Sequence, residues 1–409
     1  MTKKLNIFIS GAHLPPITGG IETHMWEIAR HLVLKGHRVT LTGSLEKYEG
    51  QLLPESEVRE GVRIIRIKGG RGVFKRPIRM LYFLFTLLRE HRREPINILH
   101  CHYLYPVGVA GAVFSLISGV PLLVTEHGAI IEDRKSFFRR NIVKFAMRRM
   151  SLVIAASKDR RDICREVAGG RVEVVAIPNG IDAERFNPEV LAEKQVAGDL
   201  SREGVTALFL GRLASVKGVH YFLEAVSLAA KEEKGIRALI VGGGSQKEFI
   251  DSLKERASKD DLKDIVKFVG EVPNDRIVEY IAQADFAVFP SLAEATSISA
   301  LEVMACGVPI VASCVDGLRE IVEDGYNGIL VPFDTEKSSY IDYGLSAAAL
   351  RRLADALIDM ASDEKKRKNM GQKAADLVRE NFTWKKNAES LEGHYFDIVG
   401  TKKDKGRAS

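Results

Sequence analysis

The chain has little of what would tie it to a cross-linked scaffold, a zinc site or a nicotinamide cofactor. Its 409 residues include four cysteines, Cys101, Cys164, Cys306 and Cys314. None forms a Cys-x-x-Cys pair, and no histidine stands near them at zinc-ligand spacing, so a disulfide framework and a structural zinc are both excluded. Buried thiols in a reducing cytoplasm are expected. Asp-x-Asp occurs nowhere, so that acidic pair is not available to carry a metal. The turn after the first strand is not G-x-G-x-x-G, which counts against a dinucleotide enzyme. Lys3 and Lys4 precede an apolar run, residues 5–9, that is too short for a secretion signal and leads into a Pro/Gly turn. One stretch without charge, residues 104–124, is long enough to cross a membrane. It contains Pro106, Gly108, Gly111, Gly119 and Pro121, and it divides into a buried helix, 107–118, and a buried strand, 121–125.

What is present reads as a globular α/β protein. The composition, 45% hydrophobic and 28% charged, is ordinary for a folded chain, and the length exceeds what one core serves, so two domains are expected. Strand-like apolar runs at 5–10, 38–42, 62–67, 96–100, 121–125, 152–156 and 172–177 alternate with helical patterns, the βαβ signature of a parallel sheet. Polar residues 184–204 interrupt the pattern. It restarts at 206–210, 237–241, 265–269, 286–290 and 309–312 and is closed by a long charged helical region, 347–381. The expected division is residues 1–185, a linker at 186–204, a second domain at 205–380, a helix at 381–400 returning to the first domain, and a disordered tail at 401–409. In such sheets ligands bind beyond the carboxyl ends of the strands, so two Rossmann-like domains facing each other would make a cleft.

The chemistry-bearing residues stand just after strands. Gly19-Gly20 opens a helix and would let backbone amides approach a phosphate, although a plain turn fits the same residues. Arg212 and Lys217, on one strand-to-helix loop, can neutralise a pyrophosphate, the first by bidentate hydrogen bonds and the second as a point charge. A solvated basic loop is the alternative. After the strand at 286–290, Glu294 lies in a loop, and the first free amides of the next helix fall at Ser297, Ile298 and Ser299. Glu302 lies inside that helix among Ile298, Leu301, Val303 and Met304, unusual company for a surface glutamate. One carboxylate can hold sugar hydroxyls, the amides a phosphate, and the second carboxylate a ribose diol. Glu126-His127-Gly128 closes a strand in the first half. His100, His102 and His127 could suggest a metal cluster, but strand alternation predicts that His100 and His102 point to opposite faces, so no metal is expected there.

Glu294-x7-Glu302 running into Met304-Ala305-Cys306-Gly307-Val308-Pro309, together with Gly211-Arg212-Leu213-x3-Lys217-Gly218, resembles the retaining family 4 glycosyltransferases of the GT-B fold. Gly19-Gly20-Ile21-Glu22-x-His24, His100-x-His102, Glu126-His127-Gly128, Pro178-Asn179-Gly180 and Asp324-Gly325-Tyr326-Asn327-Gly328 are similar to further family landmarks, and the likeness covers nearly the whole chain. The resemblance implies a nucleotide-diphosphate sugar donor, UDP- or GDP-linked, and no other cofactor. It implies Arg212 and Lys217 on the diphosphate, Glu302 on the ribose, and Glu294 on the transferred sugar beside the amides of Ser297, Ile298 and Ser299. It further implies Gly19 and Gly20 over the donor, backbone of Val269 and Gly270 at the base, and His127 near the reacting sugar. Where the family usually has glycine, this chain has Ser297, a difference that bears on donor choice. Alternatives on the same fold are an epimerase, a phosphorylase, or a regulatory protein that binds nucleotide sugar without turnover.

Up to Arg185 the chain holds 30 Lys+Arg against 18 Asp+Glu, and 30 against 36 beyond it. The basic half should face something anionic. Arginines and aromatics mix at 71–93 and again at 135–150, a pattern that suits the inner face of a membrane and an anionic lipid or phosphorylated acceptor. Two ordinary amphipathic helices fit it as well. No nucleic-acid motif is present.

Overall fold

The computed structural model describes residues 4–17, 19–48, 50–68, 76–127, 137–193, 204–334 and 345–407. These form two units, Met1–Gly180 with Trp384–Ser409, and Ile181–Thr383. The divide falls at Gly180, ahead of the expected Arg185. Part of the expected linker, Pro188–Glu193, is helical and belongs to the second unit; residues 194–203 lie outside the described residues.

The strands of the first unit are β1 (Asn6–Ser10), β2 (Arg38–Ser44), β3 (Lys47–Tyr48), β4 (Gln51–Leu52), β5 (Ser56–Arg59), β6 (Val62–Ile67), β7 (Ile98–Cys101), β8 (Leu122–Glu126), β9 (Leu152–Ala155) and β10 (Val174–Ala176). Eight of them make one sheet in the order β10-β9-β8-β7-β1-β2-β6-β5, and β3 with β4 stands apart as a short hairpin. β7 and β8 are buried along their whole length, which is why they read as largely apolar runs, with His100, Thr125 and Glu126 toward their carboxyl ends. The sequence pattern missed β5, a charged edge strand antiparallel to β6. Glu60 and Gly61 turn the chain there with φ of 49° and 79°, the left-handed pair a two-residue hairpin demands.

The stretch at 104–124 is a wide helical turn, Leu104–Gly108, a helix, Val109–Ser118, and β8. That helix buries only one face: Ala110, Ala112 and Phe114 are in the core, while Leu116 and Ile117 are exposed. No described helix is long and apolar enough to cross a membrane.

The second unit carries β11 (Val205–Leu210), β12 (Ile236–Val241), β13 (Val266–Gly270), β14 (Phe286–Phe289), β15 (Ile310–Ser313) and β16 (Gly328–Val331), all parallel, in the order β13-β12-β11-β14-β15-β16. β16 is an addition to the expected set. The long helical region is two helices, Ala347–Ser362 and Glu364–Asn381, broken at Asp363. The Asp363 carboxylate accepts the Lys366 amide at 2.8 Å, capping the second helix. The last helix, Trp384–Arg407, groups with the first unit and extends through most of the tail expected to be disordered. Asn387 donates to the Pro178 carbonyl at 2.6 Å, and Glu392 meets His37 Nε2 at 2.8 Å.

Candidate functional site

In the second unit the loops after β11 and β14 lie against each other. Gly218 has φ +71°, and a Cβ there would sit 1.9 Å from the Pro290 carbonyl oxygen, so only glycine permits this approach. The Leu292 amide donates to the Val216 carbonyl at 2.8 Å. This seam brings the Lys217 ammonium into an ion pair with the Glu294 carboxylate. The Ser291 hydroxyl stands 3.5 Å from the same carboxylate oxygen, and the Gly317 amide donates to the Glu294 carbonyl at 3.0 Å. Arg212 on the same loop is exposed and has no side-chain partner among the described residues. A cation open to a ligand and a second cation balanced by a carboxylate thus share one rim.

The helix Ile298–Ala305 begins beside that rim. Its cap is Ser297, whose hydroxyl accepts the Ala300 amide at 3.3 Å, so the chain's departure from glycine here closes one of the first-turn amides. That bond reaches neither the Ile298 nor the Ser299 amide. Glu302 lies one turn further in, 7% exposed, and burial pushes its carboxyl up to about 8, with the charge of Arg185 opposing. Arg185 Nη2 is buried without a hydrogen-bond partner among the described residues. The carboxyl and the guanidinium thus lie close enough for the charge of one to act on the other. Sequence reasoning missed Arg185, since nothing local connects it to Glu302. Val269 and Gly270 end β13, with Gly270 at φ +90° and its carbonyl accepting the Gly242 amide at 2.8 Å.

In the first unit Gly19 is the extended cap of the helix Gly20–Leu34 and supplies no capping side chain of its own, while the Glu22 carboxylate lies against it. One turn on, His24 enters a stack of imidazoles. His24 Nδ1 meets Asn179 Oδ1 at 2.6 Å, and its Nε2 is buried without a hydrogen-bond partner among the described residues. His102 Nδ1 lies 3.0 Å from His127 Nε2. The two rings stack with centroids 5.3 Å apart, and His24 stands edge-on to both at 5.2 Å. His100 and His102 do not point apart as alternation predicts: their centroids are 4.5 Å from each other. β7 ends at Cys101, so His102 lies beyond the alternating backbone. Both nitrogens of His100 are engaged, at 2.7 Å each, by Tyr395 and Thr125. The nitrogens of His24, His102 and His127 fall within 4.8 Å of one another, a grouping of metal-ligand type that the sequence reading did not anticipate. Burial holds His24 down to about 4, and lowers His102 and His127 well below the ordinary value, with neighbouring imidazoles adding to the effect. The stack is uncharged at neutral pH.

Residues 18–185 match the model of Glycosyltransferase Family 4, and residues 204–346 match that of Glycosyl transferases group 1. The chain belongs to family 4 of the glycosyltransferases. This family 4 glycosyltransferase is 28% identical to the D-inositol 3-phosphate glycosyltransferase of Acidothermus cellulolyticus, over 94% of this chain and 87% of the relative. Its architecture is the GT-B fold. The sucrose-phosphate synthase of Thermosynechococcus elongatus superposes with a TM-score of 0.81 at 21% identity, covering 97% of this chain and all of that one. HepE of Anabaena, solved with UDP-glucose, superposes with a TM-score of 0.72 at 20% identity over 95% of this chain and all of its own.

Proposed function

We propose that this glycosyltransferase moves a hexosyl group from a nucleotide-diphosphate sugar to an acceptor hydroxyl, with retention of anomeric configuration and without a metal, in the cytoplasm. The observation that carries the reading is the single rim in the second unit where Arg212, Lys217 and Glu294 meet the opening amides of a helix whose interior holds Glu302. In the reaction the anomeric C–O bond breaks and its electron pair leaves on the diphosphate oxygen. Arg212, Lys217 and the amides of Ile298 and Ser299 stabilise that charge. The acceptor oxygen forms the new bond on the same face, and its proton passes to the departing phosphate oxygen. Glu294 holds hydroxyls of the transferred sugar, and Glu302 chelates the ribose diol. His127 stands at the acceptor side as an uncharged imidazole. Backbone at Val269 and Gly270 meets the base, which leaves UDP- and GDP-linked donors both open.

The acceptor reading is a phosphorylated compound, supported by the inositol phosphate in the relative's name and by the positive charge of residues 1–185. Contact with an anionic membrane is supported by one helix, Arg76–Arg93, which leaves Ile78, Leu81, Tyr82 and Phe85 exposed. Its basic character is smaller than the sequence suggests, because Glu90 pairs with Arg63, Arg89 and Arg93. The basic residues at 71–75 and 135–136 lie outside the described residues.

Steady-state kinetics with Arg212→Ala and Lys217→Ala test the transfer mechanism. Each is expected to lower kcat by roughly 100- to 1000-fold, the loss typical of one charge-stabilising donor. Near-normal rates in both would overturn it. Co-sedimentation with anionic against neutral liposomes tests the membrane contact, and equal sedimentation would sink it.

A further inference from the structure

A cavity of about 160 Å³ in the first unit is unused by the chemistry above. It lies at the carboxyl ends of β1, β2, β6 and β7, walled by Ile67, Met80, Phe83, Tyr105 and Val107, with Tyr103 on one side. Apolar cavities of about 150 Å³ stay dry and admit a benzene-sized guest. One charged side chain reaches this one: Arg79, whose Nη1 lies 3.3 Å from the Ser44 hydroxyl. Among the described residues no carboxylate pairs with that guanidinium, whereas Arg63, Arg66, Arg89 and Arg93 nearby in the sequence each have one.

Two relationships connect the cavity to the proposed reaction. Tyr103 lines it and also faces His127, with ring centroids 6.3 Å apart. Its other wall is the helix Arg76–Arg93, which turns Arg79, Met80 and Phe83 inward and leaves Leu81 and Phe85 about 70% exposed on the far side. An unpaired guanidinium at an otherwise apolar cavity suits a ligand that is anionic at one point and apolar beside it. A wholly polar sugar phosphate would leave its hydroxyls against Phe83, Ile67 and Val107 without partners.

We infer that this cavity is an acceptor subsite for an amphiphilic phosphate, with its anionic group on Arg79 and a short aliphatic segment among Met80, Phe83 and Val107. The word acceptor rests on the transfer reading; the ligand class rests on the cavity alone.

Isothermal titration of the full chain with n-hexyl phosphate, inorganic phosphate and n-hexanol tests it, with UDP titrated into the same preparations. Hexyl phosphate is expected to bind at least tenfold more tightly than either of the others. Arg79→Gln should bring it down to the level of hexanol, and Met80→Trp, which fills the cavity, should weaken it at least tenfold. UDP binding, read in the second unit, must stay unchanged in both variants; where Met80→Trp disturbs it, Val107→Phe serves in its place. Equal binding of inorganic and hexyl phosphate, or a filled cavity that still binds hexyl phosphate normally, overturns the subsite. Failure of the unaltered chain to bind UDP or any other nucleoside diphosphate counts against the transfer reading and leaves the alkyl phosphate result standing. Displacement of hexyl phosphate by phosphatidic acid vesicles marks a membrane lipid as the source, and lack of displacement marks a soluble amphiphile; both keep the subsite.

Discussion

The Lys217 ammonium is held by the Glu294 carboxylate, which joins the loop after β11 to the loop after β14. Their side chains are 21% and 11% exposed, so each charge is largely removed from water and balanced by the other. On the proposed reading, a diphosphate arriving at Lys217 would free Glu294 for sugar hydroxyls, and one binding event would prepare both halves of the donor site. Urea unfolding of Lys217→Met, Glu294→Gln and the double variant should give a coupling of about 1–2 kcal/mol, between the values for exposed and buried pairs. Additive single losses would show that the pair contributes nothing in the free protein.

Glu302 should take part in proton exchange on nucleotide binding. Its carboxyl is pushed up to about 8 by burial, and a ribose diol donating two hydrogen bonds favours the ionised form. At pH 7 binding should therefore release a proton, seen as a calorimetric enthalpy that varies with buffer ionisation enthalpy. In the free protein the sign is opposite to the usual carboxylate. The native state holds the proton that the unfolded chain loses near 4.5, so stability falls as pH rises from about 5 to 8. Glu302→Gln should flatten this fall and abolish the buffer dependence.

The imidazole stack sets a second pH dependence. His24 and His100 are lowered by burial to about 4 and about 3, whereas the unfolded chain binds protons near 6.5. Stability from these groups is complete above about 6.5 and is lost as pH falls toward 4, with a limiting slope of about 1.4 kcal/mol per pH unit for each. Thermal melts at pH 7.5 and 5.5 should show the loss, and His24→Gln should make it shallower. An identical drop in the variant would remove His24 from the account.

Gly317 is where a single methyl group should matter most. A Cβ there would lie 1.5 Å from the Ala295 carbonyl oxygen, in the loop that carries Glu294. Gly317→Ala is expected to cost about 1–3 kcal/mol, in the range of overpacking, and to weaken nucleotide-sugar binding more than nucleotide binding, because Glu294 moves while Glu302 stays within its helix. Titration with UDP and UDP-glucose makes the comparison.

Most of the sheet was legible because its central strands are buried on both faces and begin as apolar runs, as Ile98-Leu99 of β7 and Leu122-Leu123-Val124 of β8 do. β5 was not, since Ser56-Glu57-Val58-Arg59 is an exposed edge held by its hairpin partner. Arg212, Lys217 and Glu294 were read as donor residues for a different reason: each stands in a loop that follows a strand, where the fold places ligands. Pairings between distant segments carried no local signal. Arg185 reaches Glu302, and Asn179 reaches His24, only through the folded chain. Alternation misplaced His102 because it was applied one residue past the end of its strand.

The central claim is transfer from a nucleotide-diphosphate sugar with the anomeric configuration kept. Proton NMR of the reaction with an α-linked UDP-sugar and an alkyl phosphate bearing a free hydroxyl, run with and without EDTA, tests it most directly. The account predicts an α-linked product, one UDP released per transfer, and the same rate in EDTA. A β-linked product, or a rate that vanishes in EDTA and returns with a divalent cation, would contradict it.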